Sequence, residues 1–375
     1  MRPLSVYVHI PFCLRKCAYC DFPSFTAPET LVEEYLKALK IEIEIYRPFL
    51  SERKIETVYF GGGTPSLLKP EKLLPLLDLI LSGKPGDDLE VTLEANPGTV
   101  NLRELKALKE GGFNRISIGA QSFQDSELAL LGRIHNSAQA REAFEAARKS
   151  GFENINLDLI FGLPGQSLGD FLYSLNQAVS LAPEHLSLYC LSIEKGTPLF
   201  LKVKSGELHS LGDDLVASMY HSACRILAGN RYEHYEISNF AQPGYRSRHN
   251  MVYWTYGDYL GFGLKAVSFH DGIRRGNLGK VDQYIASLKE GKAPIAYRTG
   301  KRGVAALREE AILRLRTSDG FLEEELRQKY PRAFPAFQKK LLALKESGLL
   351  EESKGRWRIR ERYFFVSLEI MARLM

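Results

Sequence analysis

Short hydrophobic runs alternate with longer amphipathic segments through the first half of the chain. The runs are rich in β-branched and aromatic residues, and several end at Gly, Pro or Asn, a pattern typical of strands. Six strands are predicted, at residues 4–10, 57–60, 89–95, 115–120, 155–161 and 185–191. Between them, apolar residues recur at helical spacing, as in Val32, Tyr35, Leu36, Leu39 and Ile43. Six strand-then-helix units predict an α/β fold with a parallel sheet and helical crossovers.

The pattern is looser from about residue 195 to 300 and becomes helical again beyond it. The elements predicted there are helices at 304–317, 322–329 and 333–347 and short strands at 349–352 and 356–359. Helices followed by a hairpin predict a small winged-helix-like α+β domain. The predicted division of the chain is a core barrel at 1–230, a connecting region at 231–300 and a C-terminal domain at 301–375.

Composition bounds the class of protein. The chain has 375 residues, of which 45% are hydrophobic and 25% are charged, so it can bury a full core. No run approaches the roughly 18–20 uninterrupted apolar residues of a membrane span, and the N-terminus has no pattern of a secretory signal. We therefore expect a cytoplasmic protein.

The net charge of +5 is unevenly distributed. Residues 300–375 contain 17 Lys and Arg against 11 Asp and Glu, whereas the preceding part is close to neutral. A basic C-terminal domain predicts an acidic partner, and nucleic acid, anionic lipid and a carboxylate-bearing ligand all satisfy that condition.

Unusual residues follow five of the predicted strands. They are the cysteine-rich segment 13–20, the glycine run 61–65, residues 94–97, Gln121 and residues 158–164. The C-terminal ends of parallel strands share one edge, where the active sites of α/β barrels form, so we expect a common pocket there. Gly and Pro after a strand are also ordinary turn residues, and each signature alone is weak.

Three of the five cysteines, Cys13, Cys17 and Cys20, have the spacing C-x3-C-x2-C. Thiolates are soft ligands, and in a reducing compartment this clustering indicates a metal or an iron–sulfur cluster rather than disulfides. Three thiolates leave one iron of a four-iron cluster open to a small chelating molecule. The alternative is structural zinc with His9 or Asp21 as fourth ligand. The other two cysteines lie in apolar surroundings and are predicted core residues: Cys190 and Cys224.

The segment from Tyr7 to Cys20, which begins YVHIPFC, and the glycine motif at 61–65 resemble the radical S-adenosylmethionine (SAM) superfamily. The resemblance implies a partial parallel (β/α)6 barrel related to the TIM barrel. It also implies a [4Fe-4S] cluster on Cys13, Cys17 and Cys20, with SAM chelating the fourth iron. In that superfamily the cluster passes an electron to the SAM sulfonium, which releases a 5′-deoxyadenosyl radical.

The same resemblance assigns contacts to SAM by motif position. Glycines allow close approach of peptide groups, carboxylates accept hydrogen bonds from ribose hydroxyls or an ammonium group, and an arginine holds a carboxylate. Salt bridges and helix caps are the alternative roles of the charged groups, and the tyrosines alternatively fill the barrel mouth. The residues are Tyr7, Tyr19, Gly62, Gly63, Thr64, Glu94, Gln121, Arg133 and Asp158.

Two members of the coproporphyrinogen-oxidase-like branch fit the chain, the oxygen-independent coproporphyrinogen dehydrogenase and the HemW-type haem chaperones. The dehydrogenase pattern has a further cysteine two residues after the third, where this chain has Phe22, and a covering N-terminal arm, where only six residues precede Tyr7. The sequence HNMVYW at 249–254 matches the HNxxYW motif of the chaperones. His249 is thereby a candidate axial ligand of haem iron. The alternative is a packed loop whose imidazole bonds to the backbone.

The leading hypothesis is a haem chaperone that binds a [4Fe-4S] cluster, SAM and haem and has no coproporphyrinogen oxidase activity. Its expected partners are haem as cargo, haem-requiring respiratory proteins and, through the basic domain, a peripheral membrane surface. The alternative is an oxygen-independent coproporphyrinogen III oxidase of porphyrin biosynthesis. A nucleic-acid partner is disfavoured because no interleaving of aromatic and basic residues stands out.

Overall fold

The computed structural model describes residues 3–82 and 84–375. Six parallel strands form its centre, and every one coincides with a predicted run. They are β1 (Pro3–Ile10), β2 (Lys54–Gly62), β3 (Lys84–Ala95), β4 (Arg115–Gln121), β5 (Ile155–Phe161) and β6 (His185–Cys190). Each strand pairs in parallel with the next strand in sequence. The predicted parallel sheet of six strand-then-helix units is confirmed.

Helices connect successive strands and bury their apolar faces. They are α1 (Glu29–Ser51), α2 (Pro70–Leu81), α3 (Leu102–Glu110), α4 (Asp125–Leu130), α5 (Ser137–Lys149) and α6 (Leu168–Ser180). The five apolar positions predicted for the first of these helices are all buried. Within residues 3–82 and 84–375, none of the helices combines the length and the hydropathy needed to cross a bilayer.

The segment after β6 adds strands to both edges of the sheet. The strands are β7 (Glu233–Glu236), β8 (Asn239–Ala241), β9 (Tyr259–Phe262), β10 (Val267–His270), β11 (Ile273–Asn277) and β12 (Ile295–Gly300). The helices of this segment are α7 (Pro198–Lys204) and α8 (Asp213–Gly229), which precede β7, α9 (Arg248–Trp254), which lies between β8 and β9, and α10 (Val281–Lys289), which lies between β11 and β12. The sheet order is β12-β11-β10-β9-β1-β2-β3-β4-β5-β6-β8-β7. The outer two of the six parallel strands, β1 and β6, pair with β9 and β8 and not with each other. The barrel is therefore open, as predicted.

The added strands explain why the sequence pattern loosens after residue 195. They have three to six residues each, and β12 leaves five of its six residues exposed. Short edge strands bury too few side chains to show a clear alternation of apolar and polar residues.

The last part of the chain is a small domain with its own sheet. Its elements are α11 (Gly303–Arg314), β13 (Phe321–Leu322), α12 (Glu323–Lys329), α13 (Phe334–Glu346), β14 (Leu350–Ser353), β15 (Arg356–Ile359) and α14 (Ser367–Ala372). The three strands have the order β13-β15-β14. The predicted helices and hairpin are therefore confirmed, whereas the exact domain boundaries stay a prediction.

A buried carboxylate joins α1 to the segment after β9. Glu42 has no exposed surface, and its carboxylate accepts hydrogen bonds from the Gly263 N–H (2.8 Å), the Asn277 amide (2.6 Å) and the Tyr284 hydroxyl (2.6 Å). Burial raises the pKa of Glu42 to about 7. Three donors offset the cost of burying this group, so Glu42 ties the barrel to residues far along the chain.

We expect Glu42→Gln to destabilise the fold. The glutamine amide would present N–H donors to a site where the protein already supplies three donors. Leaving a buried donor unsatisfied costs about 1–3 kcal/mol, and the free energy of unfolding should fall by that amount. Chemical denaturation followed by circular dichroism measures it. Glu44→Gln, which removes an exposed ion pair with Arg47 on the same helix, is the matched control and should change stability little. Equal effects of the two variants would contradict this role of Glu42.

Candidate functional site

A cavity of about 430 Å³ opens at the C-terminal edge of the parallel strands. Each of the six strands, or the loop that follows it, contributes to its wall. The cavity brings together all the predicted site residues except Tyr7 and His249: Cys13, Cys17, Tyr19, Cys20, Gly62, Gly63, Thr64, Glu94, Gln121, Arg133 and Asp158. The shared pocket expected from the strand ends is therefore present.

The three cysteines lie on a loop that leaves β1. The loop is held by its backbone, since the Cys13 N–H donates to the Phe25 carbonyl at 3.0 Å and the Cys20 N–H to the Cys17 carbonyl at 3.3 Å. Two polar groups of the wall approach the sulfurs: the Thr64 hydroxyl is 3.6 Å from Cys13 Sγ, and Arg133 Nη1 is 3.4 Å from Cys17 Sγ. Both groups can donate a hydrogen bond to sulfur, so they help to fix the Cys13 and Cys17 side chains at the wall of the cavity.

The arrangement of the sulfurs argues against a single zinc ion. Zinc binds sulfur at about 2.3 Å, which requires its ligand atoms to lie within about 4 Å of one another. In the part of the chain that the structure describes, the groups of metal-binding side chains whose ligand atoms all lie within 4.8 Å do not include the three cysteines. His9, one of the two alternative fourth ligands beside Asp21, has both ring nitrogens engaged, at 3.0 Å from the Tyr7 hydroxyl and 3.1 Å from the Pro23 carbonyl. The donor set fits a larger cluster.

The glycine run packs between β1 and Glu94. A Cβ on Gly62 would lie 2.5 Å from the His9 ring, and a Cβ on Gly63 would lie 2.7 Å from the Phe12 carbonyl oxygen. Gly62 also has a φ of 118°, which favours glycine. These glycines therefore bring β2 against the start of the cysteine loop, in addition to any close approach to a ligand.

Two carboxylates belong to the wall, one on β3 and one on β5, on either side of β4. Glu94 accepts hydrogen bonds from the Tyr59 hydroxyl (2.8 Å) and the Gly62 N–H (2.9 Å), and burial raises its pKa to about 7. Asp158 accepts from the Asn156 amide (2.8 Å) and the Ser117 hydroxyl (3.1 Å), and burial raises its pKa as well. Among the described residues, neither carboxylate takes part in a salt bridge or a helix cap, so the alternative roles are not observed for them.

Three buried polar atoms of the wall have no hydrogen-bond partner among the described residues. They are Ser24 Oγ, Gln121 Oε1 and Arg133 Nε. Gln121 has a φ of 66°, a conformation that is rare for a residue with a side chain and often marks a functional site. Gly119 allows this arrangement, because a Cβ there would lie 2.8 Å from Gln121 Nε2 and 3.3 Å from Arg133 Nη2. Orphaned buried polar atoms beside the cysteine loop fit a polar ligand such as SAM.

The two predicted tyrosines differ in position. Tyr19 lines the cavity and packs against Leu131, Ile160 and Leu163. Tyr7 is outside the cavity lining, with its hydroxyl on His9 and its ring 6.2 Å from the Tyr59 ring in a stacked arrangement. Its contact with SAM stays a prediction.

The structure places His249 inside the barrel below the cavity. The side chain is 1% exposed, and burial lowers the pKa of the imidazole to about 3, so the ring is neutral. Nδ1 lies 2.7 Å from the Thr57 hydroxyl, and Nε2 lies 2.8 Å from the Tyr253 hydroxyl. Both nitrogens are therefore engaged by side chains, and the alternative of a bond to the backbone is not what is observed. Iron ligation by His249 stays a prediction and requires Tyr253 to move.

His249 also contacts the wall of the cavity indirectly. Its ring stacks on the Tyr59 ring at 5.0 Å with an interplanar angle of 26°. The Tyr59 hydroxyl is the group that donates to Glu94. The HNxxYW helix α9 is thus connected to the cavity through a single tyrosine.

Sequence reasoning missed several residues of the cavity. Cys190 was predicted to lie in the core, but it is exposed and lines the cavity at the end of β6. Its position as the last residue of β6, at the same edge as the cysteine loop, was the available signal. Ser117 and Gly119 alternate with the apolar residues Ile116, Ile118 and Ala120 on β4, and their inward direction follows from the two-residue period of a strand. The second isolated cysteine, Cys224, is partly buried against the core.

The chain matches the family model of the Radical SAM superfamily over residues 7–178 and that of the HemN C-terminal domain over residues 305–364. It is 39% identical to the heme chaperone HemW of Bacillus subtilis (strain 168), over 94% of this chain and 93% of that protein. It is 42% identical to the heme chaperone HemW of Escherichia coli (strain K12), over 72% of each. In fold it is similar to coproporphyrinogen III oxidase (HemN) from Escherichia coli, with a TM-score of 0.87 at 24% identity, covering 100% of this chain and 90% of that one.

An open parallel barrel with a three-cysteine loop at its C-terminal edge defines a radical SAM protein, a class that uses a [4Fe-4S] cluster and SAM. The identity to bacterial relatives extends over almost the whole chain. Within the superfamily, the chain belongs to the HemW family. This membership favours the haem-chaperone hypothesis over the coproporphyrinogen oxidase hypothesis.

The glycine packing generates a testable prediction. Gly63→Ala should destabilise the cysteine loop, because the new Cβ meets backbone atoms that cannot rotate away. Overpacking of this kind costs about 1–3 kcal/mol. We expect a lower thermal unfolding midpoint and less iron retained after anaerobic reconstitution. Gly229→Ala is the control, since that glycine ends α8 and has open space around it. An unchanged iron content in Gly63→Ala would show that the loop tolerates the displacement.

Proposed function

We propose that this protein is a haem chaperone that holds a [4Fe-4S] cluster and SAM at the barrel edge and binds haem as its cargo. The observation that carries the proposal is the position of α9. Its HNxxYW sequence, which resembles the motif of the chaperone group, enters the barrel directly below the cavity and contacts Tyr59. Family membership supports the same function, because the curated relatives are named heme chaperones.

Cys13, Cys17 and Cys20 would hold the cluster. When bound, the cluster supplies the electron for reductive chemistry at the SAM sulfonium. The residues around it bind and orient. The unpaired Nε of Arg133 and Oε1 of Gln121 are available to a carboxylate and an ammonium group, and both lie at the cavity wall.

Glu94 and Asp158 would accept hydrogen bonds from the remaining polar groups of SAM, such as ribose hydroxyls. Each carboxylate is already fixed by two donors, so little side-chain entropy is lost when a ligand binds. Thr64 and the peptide groups of Gly62 and Gly63 complete the site at the end of β2.

His249 is our candidate for the axial ligand of haem iron. A neutral imidazole is the form that coordinates iron, and the lowered pKa of His249 keeps it neutral. The Tyr253 hydroxyl occupies Nε2, so it competes with iron for that nitrogen. In this proposal Tyr253 acts as a gate on the ligand.

We further propose that haem passes to haem-requiring proteins, including respiratory proteins of the membrane. The protein would act in the cytoplasm and approach the membrane through its basic C-terminal domain. The excess of Lys and Arg over Asp and Glu in residues 300–375 supports contact with an anionic surface.

The raised pKa of Glu94 predicts a pH dependence of SAM binding. The ionised carboxylate is the stronger hydrogen-bond acceptor, and a pKa of about 7 means that this form increases from pH 6 to pH 8. SAM affinity should therefore rise about tenfold over this range, measured by equilibrium dialysis of the anaerobically reconstituted protein. Glu94→Gln should bind more weakly at pH 8 and lose most of this slope. The charges of Asp158 and Arg115 act on Glu94 as well. Asp158→Asn therefore serves as a second variant, which separates the titration of Asp158 from that of Glu94. A full slope in Glu94→Gln would exclude Glu94 as the titrating group.

Haem titration by absorbance tests the cargo assignment. The reconstituted protein should bind haem, and His249→Ala should weaken binding by about tenfold or more if the imidazole ligates iron. Tyr253→Phe should strengthen binding about two- to tenfold, because a hydrogen bond of about 0.5–1.5 kcal/mol no longer competes for Nε2. His209→Ala, at an exposed position, is the control. Unchanged affinity and spectra in both His249→Ala and Tyr253→Phe would remove His249 as the ligand, and no haem binding by the unaltered protein would overturn the proposed function.

A further inference from the structure

A second cavity, of about 770 Å³, lies between the segment that follows α9 and the C-terminal domain. Its size is in the range of sites that take small molecules and cofactors. It shares no lining residue with the cavity at the barrel edge. Neither the residues of the barrel cavity nor His249 belongs to its lining, so the proposed function gives this second cavity no role.

Aromatic side chains form part of the wall of this second cavity. They are Tyr256, Phe269 and Tyr330, and the rings of Tyr256 and Phe269 pack at 4.5 Å. Val304, at the start of α11, adds an apolar surface that is 47% exposed. A flat apolar ligand could cover these groups and remove them from water.

Four cationic side chains line the same cavity, and two of them are already paired. Lys301 Nζ is 3.0 Å from a Glu309 oxygen, and Lys329 Nζ is 2.7 Å from a Glu310 oxygen. The other two are Arg302 and Arg332, which are exposed.

Arg302 and Arg332 make no ion pair or side-chain hydrogen bond with any residue in the described ranges 3–82 and 84–375. A guanidinium has five N–H donors and suits a carboxylate through two parallel bonds. Two unpaired arginines on one cavity therefore match a ligand with two carboxylates.

The positions of the two arginines also favour an anionic ligand. Arg302 is the N-cap of α11, and Arg332 directly precedes the N-cap of α13, Ala333. Neither helix has an acidic residue in its first turn or a side-chain cap. A cation at the positive end of a helix is unfavourable for the helix itself, so helix stability does not explain either arginine. Together they concentrate positive potential on the cavity.

The cavity also has a negative group of its own. Asp258 and Asp271 belong to the lining, and both bind His270, at 2.7 Å and 3.0 Å. Both carboxylates thus have a partner in the His270 ring, whereas Arg302 and Arg332 pair with no carboxylate of the described residues.

We propose that this second cavity binds the carboxylate edge of haem, with Arg302 and Arg332 each holding one propionate and the aromatic wall covering part of the porphyrin. The inference rests on the proposed function, because it says where the cargo docks. It concerns the carboxylates only, and the iron ligand is tested separately by the His249 and Tyr253 variants.

The cavity is joined to the HNxxYW helix by a row of rings. His249 contacts Tyr253 at 5.2 Å, Tyr253 contacts Tyr259 at 4.7 Å, and Tyr259 contacts Phe269, which lines the cavity, at 6.2 Å. Tyr256 follows α9 directly and lines the cavity as well. A ligand that displaces Phe269 would therefore also displace Tyr253, whose hydroxyl bonds to the His249 Nε2 atom.

The test compares iron protoporphyrin IX with its dimethyl ester, in which both carboxylates are blocked. The full-length reconstituted protein should bind the acid more tightly than the ester, by about tenfold. The double variant Arg302→Gln/Arg332→Gln should lose that preference and bind acid and ester alike. Lys339→Gln/Arg373→Gln removes the same charge from exposed positions of the C-terminal domain outside the cavity lining, and should retain the preference.

Each outcome decides the assignment. Loss of the acid preference in the cavity variant, with the preference kept in the control, supports it. If the unaltered protein binds haem but the cavity variant keeps its preference for the acid, the carboxylates dock elsewhere and the proposed function survives. If both double variants lose the preference for the acid equally, the preference depends only on the net charge of the protein, and the inference is overturned. If the unaltered protein binds neither compound, the proposed function itself fails.

Discussion

The site depends on the close approach of two glycines, the last residue of β2 and the residue after it, to the end of β1 and the residues that follow it. Gly62 lies against the His9 ring and Gly63 against the Phe12 carbonyl, at separations that leave no room for a Cβ. The same stretch donates a backbone hydrogen bond to Glu94. One steric constraint thus places the cysteine loop, the glycine motif and a wall carboxylate next to one another.

The interior of the barrel below the cavity is polar, whereas branched apolar residues usually fill parallel barrels. Asn156 lies 2.8 Å from Asp158 and 2.6 Å from His185. Arg115 is 2% exposed, and its charge favours ionisation of Glu94 and Asp158 while burial opposes it. The raised pKa of Glu94 shows that burial is the larger effect, so the carboxylates are poised to respond to a charged ligand.

Helix α9 lies between the two cavities and connects them. Its first turn carries His249, which stacks on Tyr59 below the barrel cavity, and the residues that follow it reach the second cavity. Ring-to-ring contacts therefore run continuously from Tyr59, beside the barrel cavity, to Phe269 in the wall of the second cavity.

The six parallel strands, the cysteine loop and the helices and hairpin of the C-terminal domain could be predicted from the sequence, because periodicity and motif spacing are local properties of the chain. Most residues of the cavity wall followed, since parallel strands end at one edge. Only the tertiary structure decided that Cys190 faces the cavity, that Tyr7 and His249 lie outside it, and that short strands after residue 230 extend both edges of the sheet. Those features depend on strand register and on contacts between segments more than a hundred residues apart, such as Thr57 with His249, which no local pattern records.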